Sequence, residues 1–142
     1  MKETGTDIHT GSAGGQERDL FRRAMEASRN AYAPYSHFHV GAALLTEDGQ
    51  IFTGVNVENA SYPAGICAER SAGVSAVTAG CRAFTALAVA SPDGEASMCG
   101  ICRQFFSEFS KEMTVIYGAD EAHLKLQPLS SLLPSDFVLP KK

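Results

Sequence analysis

The sequence lacks the features that mark membrane, secreted and nucleic-acid-binding proteins. It contains no apolar run long enough to cross a bilayer. Its 12 Lys and Arg residues are outnumbered by 16 Asp and Glu residues, so the formal net charge is −4 and no basic face for nucleic acid is indicated. Residues 1–16 are polar and lack the apolar stretch of a secretory signal. We therefore expect a cytoplasmic protein that binds neither membranes nor nucleic acids.

The chain also shows no internal repeat and no linker between domains. Its 142 residues are enough for one domain with a hydrophobic core. The Gly- and Thr-rich composition of residues 1–16 predicts a disordered polar tail. We expect residues 17–142 to form a single domain.

Hydrophobic periodicity and turn residues predict alternating helices and strands. A helix is predicted over residues 17–30, and the Asp48-Gly49 turn predicts a hairpin between strands at 39–45 and 51–55. The other predicted elements are helices over 67–79, 99–109 and 129–133 and strands over 85–90, 114–117 and 123–126. The turn before the last strand is too short for a helical crossover, so the last two strands are predicted to be antiparallel. This order favours the α/β class, a three-layer α/β/α sandwich around a mixed five-stranded sheet.

Cysteine is scarce, but three of the four cysteines are spaced as metal ligands. Cys67 begins the run Cys67-Ala68-Glu69, and the other two occur in Cys99-Gly100-Ile101-Cys102. Without a secretory signal, clustered cysteines favour metal binding or redox chemistry over disulfides. Three protein ligands leave one position of a tetrahedral zinc open, as in catalytic sites. We predict one Zn²⁺ per chain, bound by Cys67, Cys99 and Cys102, and interpret Cys81 as a small buried hydrophobic residue.

Two charged residues next to Cys67 have predicted roles in this site. Glu69 falls in the first turn of a helix beside the metal, so we predict that it moves protons for an attacking water. Its alternative role is to stabilise the start of that helix. Zn²⁺ with three thiolates carries a charge of −1, which weakens the metal as a Lewis acid. Arg70 is on the same helical face as Cys67, and we predict that it compensates this charge by hydrogen bonds to sulfur.

Taken alone, Cys99-x-x-Cys102 also fits a redox pair of the thioredoxin-like kind. A redox pair leaves Cys67 and its neighbouring glutamate unexplained, so the metal site is favoured. His9, His37 and His123 are predicted to contact solvent or polar groups, because three cysteines already fill the protein positions around the metal.

Several segments together resemble the cytidine deaminase family of small zinc-dependent nucleoside deaminases. They are Cys67-Ala68-Glu69, the run from Cys99 to Gln104, Tyr35–Phe38, Val40–Ala43, Asn56–Ala60 and Leu132–Pro134. The resemblance extends from about Tyr35 to Phe137. This sequence differs from the family at two positions, Met98 and His39, where the family usually has proline. We expect these departures to alter local stiffness and not chemistry.

The resemblance implies zinc-dependent hydrolytic deamination of cytidine and 2′-deoxycytidine to uridine and 2′-deoxyuridine, with release of ammonia in pyrimidine salvage. It implies that Glu69 passes a proton from water to N3 of cytosine and a second proton to the leaving amino group. The substrate is therefore expected to be a small-molecule nucleoside.

The same resemblance implies four groups that bind the substrate within one subunit. Phe38 is expected to pack on the pyrimidine, and Asn56 and Glu58 to hydrogen-bond the ribose 3′-hydroxyl. These two polar residues are two positions apart, so they point the same way on an extended segment. The backbone N–H of Ala68 is expected to stabilise the ring carbonyl or a developing oxyanion.

A homotetramer with shared sites is also implied by the resemblance. Ala60 and Tyr62 are expected to contact the sugar from a neighbouring subunit. Phe137, near the C-terminus, is expected to reach into a neighbouring subunit's site.

Two alternative functions remain open from the sequence. One is a blasticidin-type deaminase acting on a cytosine-containing antibiotic, although Glu58 and Asn59 favour an ordinary ribonucleoside. The other is a zinc-stabilised binding module without catalysis, in which Glu69 is incidental.

Overall fold

A mixed β-sheet runs through the computed structural model, which describes residues 9–10 and 13–141. Its strands are β1 His9–Thr10, β2 Gly41–Thr46, β3 Ile51–Val55, β4 Phe84–Ala90, β5 Thr114–Gly118 and β6 Leu124–Pro128. Among the described residues their order is β1-β6-β5-β4-β2-β3. Strands β4 and β5 pair in parallel, and the other neighbours pair antiparallel. The predicted mixed sheet of five longer strands is confirmed, as is the antiparallel pairing of the last two.

Helices cover both faces of this sheet. They are α1 Gly15–Ala27, α2 Ala68–Thr78, α3 Gly100–Ser107 and α4 Leu129–Leu132. Short 3₁₀ turns occupy Ser28–Asn30 and Tyr62–Ala64. Among the described residues, no helix has both the length and the apolar character needed to span a membrane.

The alternation of side chains along β2 produces the three layers. Leu45 belongs to the core cluster that contains Phe21 of α1. Its neighbour Leu44 points to the other face and belongs to the cluster that contains Ala72 of α2 and Phe106 of α3. Full burial of a Leu or Phe side chain contributes about 1.5–3 kcal/mol, so both faces stabilise the sandwich.

Helix α2 lies so close to β3 that only glycine fits between them. A Cβ on Gly54 would lie 2.3 Å from the backbone N of Ala72 and 2.6 Å from the carbonyl O of Ala68. Both neighbours are backbone atoms, which cannot rotate away as a flexible side chain can. Because α2 carries Cys67 at its N-cap and Glu69 in its first turn, the small size of Gly54 sets the position of both residues relative to the sheet.

We expect Gly54→Ala to lower the free energy of unfolding by about 1–3 kcal/mol, because it overpacks this contact. Chemical denaturation measures the change. Gly15→Ala is the matched control, since a Cβ there meets no atom within 4 Å. The control should not lower stability, because alanine is the better helix former at this open position in α1. Equal stability of the two variants would contradict the argument.

The structure differs from the sequence predictions at several element ends. Strand β1 and the start of α1 at Gly15 fall within residues 1–16, where a disordered tail was predicted. Residues 1–8 and 11–12 lie outside the described residues, so for them the tail stays a prediction. A two-residue strand has no detectable periodicity, and β1 acquires its hydrogen bonds from β6, a partner distant in sequence. Cys67 and Cys99, predicted as first helical residues, are extended N-caps.

Candidate metal centre and active site

Three thiols converge where two helices begin. Cys67 and Cys99 are the N-caps of α2 and α3, and Cys102 lies in the first turn of α3. All three sulfurs lie within 4.8 Å of one another, and those of Cys67 and Cys99 are 3.6 Å apart. The partial positive charge at each helix N-terminus favours thiolates there. The cysteines are free of disulfides, and three converging sulfurs suit a thiophilic metal such as zinc.

Arg70 places a positive charge against this cluster. Its Nη2 donates a hydrogen bond to the Cys67 sulfur at 3.5 Å, one helical turn away. Two hydrogen bonds lower the pKa of Cys67 to about 5: the larger effect comes from the bond with Cys102, and the smaller from the bond donated by Arg70. The hydrogen bond with Cys67 and burial raise the pKa of Cys102. Cys67 is therefore the thiolate of the Cys67–Cys102 pair, and metal binding displaces the proton of Cys102.

Glu69 is a buried carboxyl group in the same site. Its relative exposure is 4%, and burial raises its pKa to about 7. A pKa near the working pH suits a group that both accepts and donates protons in one cycle. The position supports the acid and base role that the sequence predicts.

A cleft of about 270 Å³ opens beside the thiols and Glu69. Ala68 lines it at the start of α2, where first-turn N–H groups lack helical partners. Phe38 lines it from the segment before β2, and residues 95–97 line it from the loop after β4. The structure therefore brings an aromatic ring, a backbone donor and a buried carboxyl group together at the metal centre.

Asn56 also lines this cleft and fixes the segment that carries Phe38. Its Nδ2 donates to the Phe38 carbonyl at 2.8 Å, and its Oδ1 accepts from the Val40 N–H at 2.9 Å. The amide keeps a second N–H and a second lone pair for a ligand.

Glu58 lies in a neighbouring cavity of about 500 Å³, which shares Asn56 and Cys67 with the cleft. Its carboxylate accepts hydrogen bonds from the Ser36 hydroxyl, from the Ser36 N–H at 3.1 Å and from the Tyr35 N–H at 3.0 Å. The Ser36 hydroxyl chiefly lowers the pKa of Glu58, so this group is a carboxylate at neutral pH.

Besides Glu58, three further predicted substrate residues lie outside the 270 Å³ cleft of the single chain. Ala60 is exposed, and Tyr62 is 79% exposed at the second cavity. Phe137 is 67% exposed. Gln104 binds the Phe137 backbone twice, donating to its carbonyl at 3.0 Å and accepting from its N–H at 3.1 Å.

The structure also shows a residue whose role the sequence did not indicate. Arg103 donates from Nε to the Met98 carbonyl at 2.9 Å and from Nη1 to the Leu132 carbonyl at 2.8 Å. It thereby fixes the end of the loop that carries Cys99. In the sequence, only the position of Arg103 next to Cys102 indicated a role near the site. The two backbone carbonyls that it binds could not be predicted, because their positions depend on the fold.

None of the histidines with described side chains belongs to the thiol cluster. His39 contacts Asp93 and His123 contacts Asp120, each at 2.8 Å. His37 has a φ of 59°, which marks a left-handed backbone position. The side chain of His9 lies outside the described residues.

Comparison with known proteins identifies the same type of site. Residues 15–119 match the family model for the cytidine and deoxycytidylate deaminase zinc-binding region. A cytidine deaminase of Sporosarcina psychrophila is 43% identical over 83% of this chain and 88% of its own length. A probable cytidine deaminase of Dictyostelium discoideum is 47% identical over 80% of this chain and 78% of its own length. The crystal structure of cytidine deaminase from Burkholderia pseudomallei aligns with a TM-score of 0.79 at 42% identity, covering 88% of this chain and all of that one.

Proposed function

Because the chain belongs to the cytidine and deoxycytidylate deaminase family, we propose that it hydrolyses cytidine and 2′-deoxycytidine to uridine and 2′-deoxyuridine, with release of ammonia. The observation that carries the proposal is one cleft lined by Cys67, Cys99 and Glu69, with the Cys102 sulfur beside it. This arrangement suits an enzyme, since a structural zinc needs no buried carboxyl group beside an open ligand position.

Zinc is the cofactor of this zinc-binding deaminase region. We assign Cys67, Cys99 and Cys102 as its ligands, and Arg70 as the group that offsets their negative charge. When bound, zinc acts as a Lewis acid and makes a water more acidic.

Glu69 carries the proton transfers. It takes a proton from the attacking water and gives it to N3 of the cytosine ring as the new C4–O bond forms. It then takes the proton of the C4 hydroxyl and gives it to the amino group, so that the C4–N bond breaks and ammonia leaves. Water and cytidine thus yield uridine and ammonia without any oxidation or reduction.

Other residues position the nucleoside. Phe38 packs on the pyrimidine ring, and the Ala68 N–H donates to the ring carbonyl. Asn56 and the Glu58 carboxylate hydrogen-bond the ribose 3′-hydroxyl. Asn56 and Glu58 are both partly buried, and a polar pair of this kind discriminates against ligands that leave it unpaired, so a nucleoside is favoured over the free base.

The active form is proposed to be a homotetramer. Tyr62 and Phe137 are large and exposed on the single chain, as is typical of residues that become buried at an interface. In the tetramer, Ala60 and Tyr62 contact the sugar from a neighbouring subunit, and Phe137 enters a neighbouring site. Cytoplasmic pyrimidine salvage is the proposed setting.

Ammonia release from cytidine, with zinc measured on the same sample, tests the function. We expect release by protein that holds about one zinc per chain. Full zinc without release would reject cytidine, and blasticidin would be the next substrate to test. Full zinc without release from either compound would favour the non-catalytic module.

A further inference from the structure

A single carboxylate joins the segment before β2 to the loop after β4. Oδ2 of Asp93 accepts the backbone N–H of His39 at 2.8 Å and lies 2.8 Å from Nδ1 of the same residue. Because an ionised carboxylate has no proton to give, the ring nitrogen is the donor. The Asp93 N–H donates to the buried Ser91 hydroxyl at 3.1 Å, which fixes the start of the loop.

The two joined segments both line the substrate cleft. Phe38 precedes His39 directly, and residues 95–97 follow Asp93 closely. Between them, the Phe38 ring packs against Gly94, where a Cβ would lie 3.4 Å from the ring Cε1 atom. The contact between His39 and Asp93 therefore joins the segment that carries the aromatic ring to the loop that faces it.

The same loop has a second, independent attachment. The Glu95 carboxylate lies 2.7 Å from Lys125 Nζ on β6, and that ammonium group lies 5.7 Å from the centre of the Tyr117 ring. Breaking the contact at Asp93 leaves this attachment in place. The expected consequence is a local change in the cleft without loss of the fold.

We propose that His39 and Asp93 are a positioning pair that sets the width of the pyrimidine slot in this chain. The proposal rests on the proposed nucleoside deaminase function. From the sequence, histidine in place of the family's usual proline at position 39 was expected to alter only local stiffness. In the structure, His39 supplies a backbone N–H and a ring N–H, two hydrogen-bond donors that proline lacks. The His39 and Asp93 side chains are 38% and 36% exposed, so the contact between them contributes little to global stability. Its effect falls on the geometry of the cleft.

Graded variants test the pair. Asp93→Ala removes both hydrogen bonds, His39→Ala removes only the ring bond, and His39→Asn keeps a side-chain donor near the Nδ1 position. We expect the KM for cytidine to rise about three- to tenfold in Asp93→Ala and less in His39→Ala, with kcat changed less than about twofold. His39→Asn should restore the wild-type KM. Zinc content and melting temperature should stay unchanged in all three.

His123→Ala is the matched control. It removes an exposed contact to Asp120 of the same 2.8 Å length, in the turn between β5 and β6 and away from the cleft. Amide hydrogen exchange of residues 91–98 should accelerate in Asp93→Ala and His39→Ala but not in the control. An unchanged KM together with unchanged exchange in Asp93→Ala would overturn the proposal, as would equal effects of His123→Ala.

The exchange measurement separates this proposal from the proposed function. If wild-type protein with full zinc released no ammonia from cytidine, the proposed cytidine deaminase function would fail on that result alone. Faster exchange of residues 91–98 in His39→Ala than in His123→Ala would still support the pair as the attachment of the cleft loop. Equal exchange in these two variants would overturn it.

Discussion

Replacing Glu69 with glutamine is expected to slow ammonia release from cytidine by about 10²- to 10⁴-fold while zinc remains bound. Glutamine has nearly the same shape but cannot accept the proton of the attacking water. The residue lines the cleft and is 4% exposed, so bulk water has little access to replace the lost base. Steady-state kinetics and zinc analysis on one preparation measure both parts of the prediction.

Glu17→Gln is the matched control for this variant. Glu17 also lies in the first turn of a helix, where its carboxylate accepts the Gly14 N–H at 2.7 Å. If Glu69 served only to stabilise a helix start, both variants would keep full turnover and lose similar stability. Turnover by Glu69→Gln within a factor of two or so of wild type would remove Glu69 from the mechanism.

The stability of Glu69→Gln relative to wild type should increase as the pH rises from 4.5 to about 7. Burial raises the pKa of Glu69 from 4.5 to about 7, so ionisation of this group opposes folding as the pH rises through that interval. The neutral amide avoids this cost. We therefore expect chelator-treated Glu69→Gln to be at least as stable as wild type at pH 8, by chemical denaturation.

Replacing Cys102 with alanine is expected to abolish stable zinc binding, to less than about a tenth of a zinc per chain after dialysis. Cys102 is fully buried, and its sulfur is one of three in the cluster. Two cysteines alone leave the metal with half of a tetrahedral set. Because metal-binding energy is also folding energy, the variant should unfold at a lower denaturant concentration than zinc-loaded wild type.

Cys81→Ala provides the control for loss of a thiol. Cys81 is partly buried outside the cluster, and its sulfur accepts a hydrogen bond from Gln50 Nε2 at 3.3 Å. The Cys81→Ala variant should keep full zinc content and full turnover. If Cys102→Ala also kept both, the ligand assignment would be wrong.

The parts of this site that depend on local sequence could be predicted. Cys67 and Cys99 occur where a loop enters a helix, and helical spacing then places Cys102 and Arg70 on the faces where the structure has them. The five longer strands were also predictable, because their apolar residues alternate or form short buried runs between turn residues.

The rest depends on contacts between segments that are distant in sequence. Arg103 binds backbone carbonyls. Every residue has such a carbonyl, so the sequence does not indicate which ones the fold brings next to Arg103. The pairing of His39 with Asp93 bridges 54 positions of the chain. The proposed contacts of Tyr62 and Phe137 involve other subunits, so they stay predictions for the single chain.

The loop between β4 and α3 supplies a wall of the cleft and ends at Cys99. An insertion or deletion in this loop would therefore shift the proposed ligand Cys99 together with the wall of the cleft. We expect altered substrate range to be more readily engineered by exchanging the side chain at Ser97, which lines the cleft while the loop length stays constant. We therefore expect this connection to accept new side chains at its cleft-lining positions but not a new length.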